Sequence, residues 1–330
     1  YEHNADLYYA YSHIYSYITD PFTNQSPDLL FQVSRYIINS LGSSESIPYG
    51  ISKTATLYTL AKQAMLLGGY KLARNIYDKL SKLYIQPKWI DEIEYDMLIV
   101  QAKPVRDEPE HLPVCYRCSS TNPLLNPFTN KFAKGDVCTN CGHPFVRSFI
   151  NFDILPLVEF VPEPSISDEE AIELIRTHPN SSRSVPSSSM KSGEGKMGDA
   201  DVLSLDQNDS QIDMMGISSD LRGGLNADEM FTNCLNKTLE KQTNAMSYIP
   251  VTVNTATLLY GMKRSEVFVC RPSTPNKRAT FYKNMLPEIA IAISQNCHRF
   301  FHLEDFEFAY LSNKSCPYSR VKDVGEYGSL

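Results

Sequence analysis

The chain lacks the motifs that mark several well-known enzyme classes. It contains no G-x-x-x-x-G-K-[ST] phosphate loop, no G-x-S-x-G nucleophile elbow and no H-E-x-x-H metalloprotease helix. It also has no Cys, His and Asp at a spacing that indicates a nucleophile with its base. We therefore expect a protein that is not an enzyme.

Long apolar segments and an initiator methionine are absent as well. No apolar run approaches the roughly 18 residues that a membrane-spanning helix needs, and no signal peptide is recognisable, so we expect no direct membrane insertion. The chain begins Tyr-Glu-His-Asn, and we expect it to be a segment of a longer protein. Half of its eight cysteines fall in a metal-binding pattern, which favours a reducing compartment over a disulfide framework.

The chain also lacks an excess of positive charge. The net charge is −7 at pH 7, and it is unevenly distributed. Residues 161–230 hold nearly three times as many Asp and Glu as Lys and Arg, so the remainder of the chain is close to neutral. Because nucleic-acid-binding proteins usually present a basic surface, we expect no nucleic acid partner.

Two cysteine pairs are the most informative motif that the sequence does contain. Cys115 and Cys118 form one C-x2-C pair, Cys138 and Cys141 form the next, and their spacing is typical of a structural zinc site. Each pair places two thiolates on a tight turn, and Gly142 follows where such a turn often needs positive φ. Four thiolates fill a tetrahedral coordination sphere, which leaves no position for an activated water. We predict a structural zinc here.

A weaker group of metal-binding residue types lies near the end of the chain. Ser294 and Ser319 stand where cysteines would complete two more C-x2-C pairs, and neutral serine is a poor zinc ligand. Two interpretations stay open, namely a second zinc site or two buried cysteines and two partly exposed histidines in an ordinary core. The candidate ligands of a second zinc are Cys297, His302 and Cys316.

The pattern along the chain predicts a mainly α protein, with a tetratricopeptide-like helical solenoid followed by a zinc ribbon and a small α+β module. Apolar residues at helical intervals fill Thr56 to Leu83, and Gly68-Gly69 breaks the run into a helix pair. An unrelated helical bundle is the alternative. The predicted divisions are 1–100 (helical repeats), 101–178 (zinc ribbon with flanking strands and a short helix), 179–225 (disordered acidic and serine-rich insert) and 226–330 (α+β module, with the candidate second zinc).

Local patterns add finer expectations. Ser167 and Glu170 form a capping box that predicts a short helix. Residues 250–253 and 267–270 are rich in β-forming residues, whereas 279–285 favours a helix. We expect Ile99 to Val105 to be extended, since Pro104 cannot lie inside a helix.

Several runs of the sequence resemble one protein family. The specific ones are Ala102-Lys-Pro, Cys115-Tyr-Arg-Cys-Ser, Asn122-Pro-Leu-Leu-Asn and Cys316-Pro-Tyr. With the helical run Leu57-Tyr-Thr-Leu-Ala-Lys-Gln, they resemble the C-terminal part of the intraflagellar transport protein 122 family. The resemblance covers about residues 30 to 320 without 180–225.

This resemblance implies a subunit of intraflagellar transport complex A, which acts in retrograde transport and in ciliary entry of membrane cargo. Its partners would be other subunits of the complex, and its location the cilium and ciliary base, the cytoplasm and the cytoskeleton. The first four cysteines match the family's first cysteine set. The family typically has two further C-x2-C pairs near its C terminus, of which this chain keeps Cys297 and Cys316, with His298 or His302 as substitutes for the missing ligands.

The leading hypothesis is therefore a scaffold module, and two alternatives accompany it. A zinc-ribbon nucleic-acid binder would use four basic residues around the cysteines and two aromatic stacking platforms. The basic residues are Arg117, Lys131, Lys134 and Arg147, and the aromatic ones are Phe128 and Phe132. A RING-like ubiquitin ligase would need eight ligands interleaved between two metals, whereas the first four cysteines form a self-contained set.

Overall fold

The computed structural model describes residues 2–20, 22, 25–42, 47–104, 112–125, 136–177, 227–243, 245, 247–271 and 278–322. The insert predicted at 179–225 lies outside these ranges. About half of the described residues are helical. The helices are α1 (Glu2–Thr19), α2 (Pro27–Gly42), α3 (Lys53–Leu66), α4 (Tyr70–Leu80), α5 (Pro87–Ala102), α6 (Asp168–Arg176), α7 (Ala227–Thr243), α8 (Thr255–Tyr260) and α9 (Leu303–Asn313). The strands are β1 (Leu157–Pro162), β2 (Val251–Val253), β3 (Val267–Cys270), β4 (Thr280–Asn284), β5 (Ile291–Ile293) and β6 (Phe300–His302).

Helices α1 to α5 pack mainly against their neighbours in sequence, and α1 also contacts α3. The predicted helix pair is confirmed, because α3 ends at Leu66 and α4 begins at Tyr70. Gly68 lies between them with φ +84°, a conformation that glycine adopts without strain. Ala61 and Ala73 are fully buried in this core, where their small side chains allow the helices to approach closely.

A polar network crosses the helical core and ties α5 to the helix pair. The Tyr77 hydroxyl donates to Asp96, which is 2% exposed, over 3.0 Å. Lys62 Nζ lies 2.8 Å from the same carboxylate and 2.6 Å from Glu92. Tyr58 donates to Glu92 over 2.6 Å. Because Lys62 and Tyr77 both bind Asp96, the buried charge of this carboxylate is paired and hydrogen-bonded, as stability requires.

A four-stranded sheet lies after the cysteine pairs, in the order β2-β1-β4-β3. Strand β1 pairs in parallel with β2 and antiparallel with β4. Its core contains Phe160, Phe231 and Phe281, which are fully buried. Strand β1 precedes the predicted insert and the other three strands follow it, so segments from both sides of the insert form one sheet. The predicted domain boundary at residue 178 stays a prediction.

Two local predictions are wrong. Residues 279–285 contain strand β4 instead of a helix, since aromatic and β-branched residues fit a strand between β1 and β3, with Phe281 facing the core. Helix α5 continues through Ile99 to Ala102. Pro104 restricts only the residue before it, so Lys103 is extended with ψ 161° and the helix ends there.

The first and last described segments share one hydrophobic core. Leu7 and Ile14 of α1 pack in the same buried cluster as Phe301, Phe306 and Cys316. This arrangement brings α1 against the segment that holds the second group of candidate ligands. In the part of the chain that the structure describes, none of the helices combines the length and the apolar character needed to cross a membrane.

Candidate metal centre

The first two cysteine pairs occupy turns of the same backbone geometry. The Cys115 N–H donates to the Ser120 carbonyl over 3.0 Å, and the Ser119 N–H donates to the Cys115 carbonyl over 2.8 Å. The second turn repeats the pattern, with bonds from Cys138 to His143 and from Gly142 to Cys138. Positive φ values at Ser119 (55°) and Gly142 (71°) close the two turns, which confirms the expectation for Gly142. We call each such turn a knuckle.

The two knuckles bring all four sulfurs together. The four Sγ atoms lie within 4.8 Å of one another, with 3.7 Å between Cys115 and Cys141 and 3.6 Å between Cys118 and Cys138. Sulfur ligands about 2.3 Å from a tetrahedral metal lie about 3.8 Å apart, so the arrangement fits one metal ion. Among the described residues, these four form the one group of three or more Cys, His, Asp or Glu side chains able to hold a metal.

Interactions among the four sulfurs shift the pKa values of the thiols in opposite directions. Interaction with the Cys115 thiol lowers the pKa of both Cys118 and Cys138. Bonds to Cys118 and to Cys115 raise the pKa of Cys115 and Cys141, respectively. The Ser120 hydroxyl lies 2.9 Å from Cys118 Sγ and is placed to stabilise a thiolate. A divalent cation among the four sulfurs would favour their ionisation.

Asn122 connects the two knuckles directly. Its Oδ1 atom accepts from the Thr139 N–H over 2.8 Å and from the Thr139 hydroxyl over 3.2 Å, while its amide donates to the Ser120 carbonyl. The side chain is 1% exposed. Asn122 therefore joins the two knuckles through its side-chain hydrogen bonds. The sequence motif Asn122-Pro-Leu-Leu contained this residue, but its role required the structure.

Arg117 and His143 attach the centre to the sheet region. Arg117, 1% exposed, donates to the Ile249 carbonyl over 2.6 Å, and its guanidinium lies 4.9 Å from the Tyr248 ring centroid. His143 Nε2 accepts from the Glu159 N–H of β1. Burial, and then the charge of Arg117, lowers the pKa of His143 to about 4, so the ring is neutral at pH 7. Nothing in the spacing of the cysteines indicated His143.

Arg147 attaches the centre to the helices instead of presenting a free charge. It is 4% exposed, pairs with Asp136 and donates to the Phe152 carbonyl over 2.6 Å. Asp136 also accepts from Asn39 of α2 over 3.1 Å. The basic residues that suggested nucleic acid contacts are thus buried where described, and Phe128 and Phe132 lie outside the described residues.

The second group of candidate ligands is only partly brought together. Cys297 and Cys316 face each other with 3.9 Å between their sulfurs. His302 ends β6 and precedes α9, and it does not join them in a metal-binding group of the described residues. Whether Cys297, His302 and Cys316 bind zinc stays a prediction.

Comparisons with known proteins agree with this geometry. The family model "IFT122, zinc ribbon domain" matches residues 108–158, which contain both knuckles of the centre. The chain is 35% identical over 321 residues to the intraflagellar transport protein 122 homolog of Danio rerio, and 36% identical over 322 residues to that of Homo sapiens. These matches cover 97% and 96% of this chain.

The relatives are much longer than this chain, which spans 24% and 23% of those two proteins. The matched part is their C-terminal part. The similarity extends along nearly the whole chain, and the four-cysteine knuckles lie in the matched domain. The chain therefore belongs to the intraflagellar transport protein 122 family and corresponds to the C-terminal part of its members.

Proposed function

We propose that this chain is a non-enzymatic scaffold module of intraflagellar transport complex A. The observation that carries the proposal is the match to intraflagellar transport protein 122 homologs over nearly the full chain. In this role the chain supports retrograde ciliary transport and ciliary entry of membrane cargo through contacts with other subunits of the complex. It acts at the cilium and ciliary base, with cytoplasmic and cytoskeleton-associated pools.

Within this role, the four-cysteine centre holds zinc as a structural ion. Four thiolates at tetrahedral separations suit Zn²⁺ and leave no open position for substrate or water. The ion contributes folding free energy, and hydrogen bonds from the surrounding residues hold the centre in position. Asn122 joins the knuckles, Arg117 links them to the strand region and Asp136 links them to α2.

The helices before the centre serve as a tetratricopeptide-like docking surface in this proposal. The pair α3–α4, with buried Ala61 and Ala73, corresponds to one repeat, and α5 extends the stack. Such stacks expose extended surfaces along their length, which suits contacts with other subunits.

The alternatives receive less support. Arg117 and Arg147 are buried and hydrogen-bonded, so they cannot also neutralise phosphates. A RING-like cross-brace would place consecutive cysteine pairs at different metals, whereas here both consecutive pairs meet at one centre.

Affinity purification from ciliated cells tests the scaffold function. A tagged chain is expected to recover other complex A subunits, and a Cys118→Ser variant is expected to recover far less because its centre unfolds. Cys234→Ser is the matched control, since Cys234 lies outside the cluster beside Thr257. Recovery of no complex A subunit by the unmodified chain would contradict the proposal.

A further inference from the structure

The backbone around Cys297 and Cys316 repeats the knuckle geometry of the metal centre. The Ser294 N–H donates to the Arg299 carbonyl over 3.1 Å, and the His298 N–H donates to the Ser294 carbonyl over 2.7 Å. The second turn has the same two bonds, from Cys316 to Val321 and from Arg320 to Cys316. The closing residues again have positive φ, 52° at His298 and 61° at Arg320.

The four ligand positions of these knuckles are therefore Ser294, Cys297, Cys316 and Ser319. The Ser294 hydroxyl lies 3.9 Å from Cys316 Sγ, and the Ser319 N–H donates to that sulfur over 3.5 Å. The Ser319 side chain also interacts with this sulfur, and its position corresponds to that of a metal ligand. Neutral hydroxyls are weak zinc ligands, so this set does not fit the family's metal.

The two serines leave one cysteine in each knuckle. A bond between Cys297 and Cys316 would therefore join the knuckles to each other, as a metal does, instead of closing one knuckle on itself. The sulfurs are 3.9 Å apart and must approach by about 2 Å to reach the length of a disulfide bond. Cys316 is fully buried, whereas Cys297 is half-buried and lines an open cleft of about 830 Å³.

We propose that Cys297 and Cys316 form a reversible disulfide that replaces the metal as the link between these knuckles. In a reducing compartment such bonds are usually transient and respond to oxidants, so the pair acts as an oxidation site. The oxidant that the proposal names is a small disulfide such as oxidised glutathione.

The chemistry proceeds by two thiol–disulfide exchanges. The Cys297 thiol at the cleft loses its proton and attacks one sulfur of oxidised glutathione, which forms a mixed disulfide and releases one glutathione thiolate that takes up a proton. The Cys316 thiolate then attacks the Cys297 sulfur, forms the Cys297–Cys316 bond and releases the second glutathione. The two protons and two electrons of the cysteine pair end on the two glutathione thiols.

This bond would act on the contact between the knuckles and helix α1. Tyr318 and Arg299, one from each knuckle segment, both bind Asp6 of α1, at 2.9 Å and 2.8 Å. Cys316 lies in the same hydrophobic cluster as Leu7 and Ile14. A disulfide between the knuckles would fix Tyr318 and Arg299 relative to each other, so oxidation should tighten the attachment of α1.

Mass-spectrometric mapping of the intact chain tests the proposal. The purified zinc-loaded chain is equilibrated with reduced and oxidised glutathione at a series of ratios, free thiols are alkylated, and the digest is analysed without reduction. We expect a Cys297–Cys316 peptide pair that grows with oxidised glutathione, disappears on reduction and leaves the first centre's zinc content unchanged. Cys234→Ser should form the same pair, and Cys297→Ser should form none.

Native mass spectrometry of the unmodified, reduced chain supplies the opposing outcome and does not depend on any variant folding. A second zinc bound to the unmodified chain would overturn the proposal, as would the absence of the peptide pair at every glutathione ratio. One zinc per chain together with the linked peptide pair supports it. Neither result depends on complex A assembly, so failure here is distinguishable from failure of the scaffold function.

Discussion

The two knuckle pairs of this chain share a backbone and differ in their ligands. Both use the same two hydrogen bonds and a closing residue with positive φ, yet one presents four sulfurs and the other two sulfurs and two hydroxyls. Knuckle geometry therefore does not require a complete ligand set. Backbone bonds and surrounding packing hold the turn, and the four thiolates decide whether a metal binds.

The surroundings of the two pairs differ in a way that explains this tolerance. The first centre is a small cluster whose interior is mainly sulfur, so its stability depends on the ion. The second pair belongs to a large apolar core shared with α1, α2 and α9. Burial of that core stabilises the second pair without a metal, because apolar area removed from water contributes about 25 cal/mol per Å².

Removing one ligand from the first centre should produce the largest effect. Cys118→Ser takes a thiolate from the closed set, and we expect loss of the ion and unfolding of the 110–160 region, with several kcal/mol of stability lost. Zinc content and the thermal unfolding midpoint measure this. Cys297→Ser should cost far less in reduced protein, and equal losses for the two variants would contradict the contrast between the centres.

Completing the second ligand set should produce the next largest effect. The double variant Ser294→Cys and Ser319→Cys places four thiols on knuckles that already have the correct backbone. We expect one additional zinc per chain by native mass spectrometry and a higher unfolding midpoint in zinc than in chelator. Each single variant is the matched control, and it should bind the added zinc much more weakly.

Breaking the attachment of the second pair to α1 should have an intermediate effect. Asp6→Asn removes the charge that Arg299 and Tyr318 share, and we expect a loss of about 1–3 kcal/mol because the ion pair with Arg299 is lost and the hydrogen bond from Tyr318 is no longer charge-assisted. Denaturant unfolding measures the change. Asp78→Asn, at an exposed position of α4, should change the free energy of unfolding little, while zinc content should stay constant in both variants.

Acidification of the metal-free helical region should give the smallest effect. Burial raises the pKa of Glu92, but hydrogen bonds from Lys62 and Tyr58 and the Lys62 charge lower it more, so the folded pKa lies below the ordinary value. Its contribution is complete above the unfolded pKa of about 4.3 and disappears as the pH falls through the folded pKa.

The difference in unfolding free energy between the unmodified chain and Glu92→Gln, measured from pH 6 to about pH 3, isolates this contribution from acid release of the metal. We expect the difference to shrink as the pH falls. Glu94→Gln, also exposed and on the same helix, is the control and should show no such trend. A constant difference for Glu92→Gln would indicate that its ion pair adds no stability.

Sequence reasoning succeeded where short-range chemistry dominates. The spacing of Cys115, Cys118, Cys138 and Cys141 predicted one cluster, because each C-x2-C pair is a local turn and two turns complete a tetrahedron. The capping box at Ser167 was also correct, since the Ser167 hydroxyl accepts from the Glu170 N–H at the start of α6. Each knuckle and the capping box depend on residues only a few positions apart.

It failed where distant segments compete for the same residues. Residues 279–285 look helical in isolation and become β4 because β1 and β3 provide partners on both sides. Arg117 and Arg147 look like surface charges beside a ribbon and are buried. The carbonyl of Ile249, far along the chain, accepts from Arg117, and Arg147 pairs with Asp136, which also binds Asn39 of the distant helix α2.

The four-cysteine cluster, the helix pair around Gly68 and the family resemblance followed from the sequence, since each rests on short runs of neighbouring residues. Only the tertiary structure decided that Ser294, Cys297, Cys316 and Ser319 stand on two matching knuckles and that the two sulfurs face each other. The sequence shows two serines in place of cysteines. Packing against α1 preserves the knuckle shape after the ligands are lost, because buried apolar contacts and backbone hydrogen bonds stabilise a turn whether or not a metal binds.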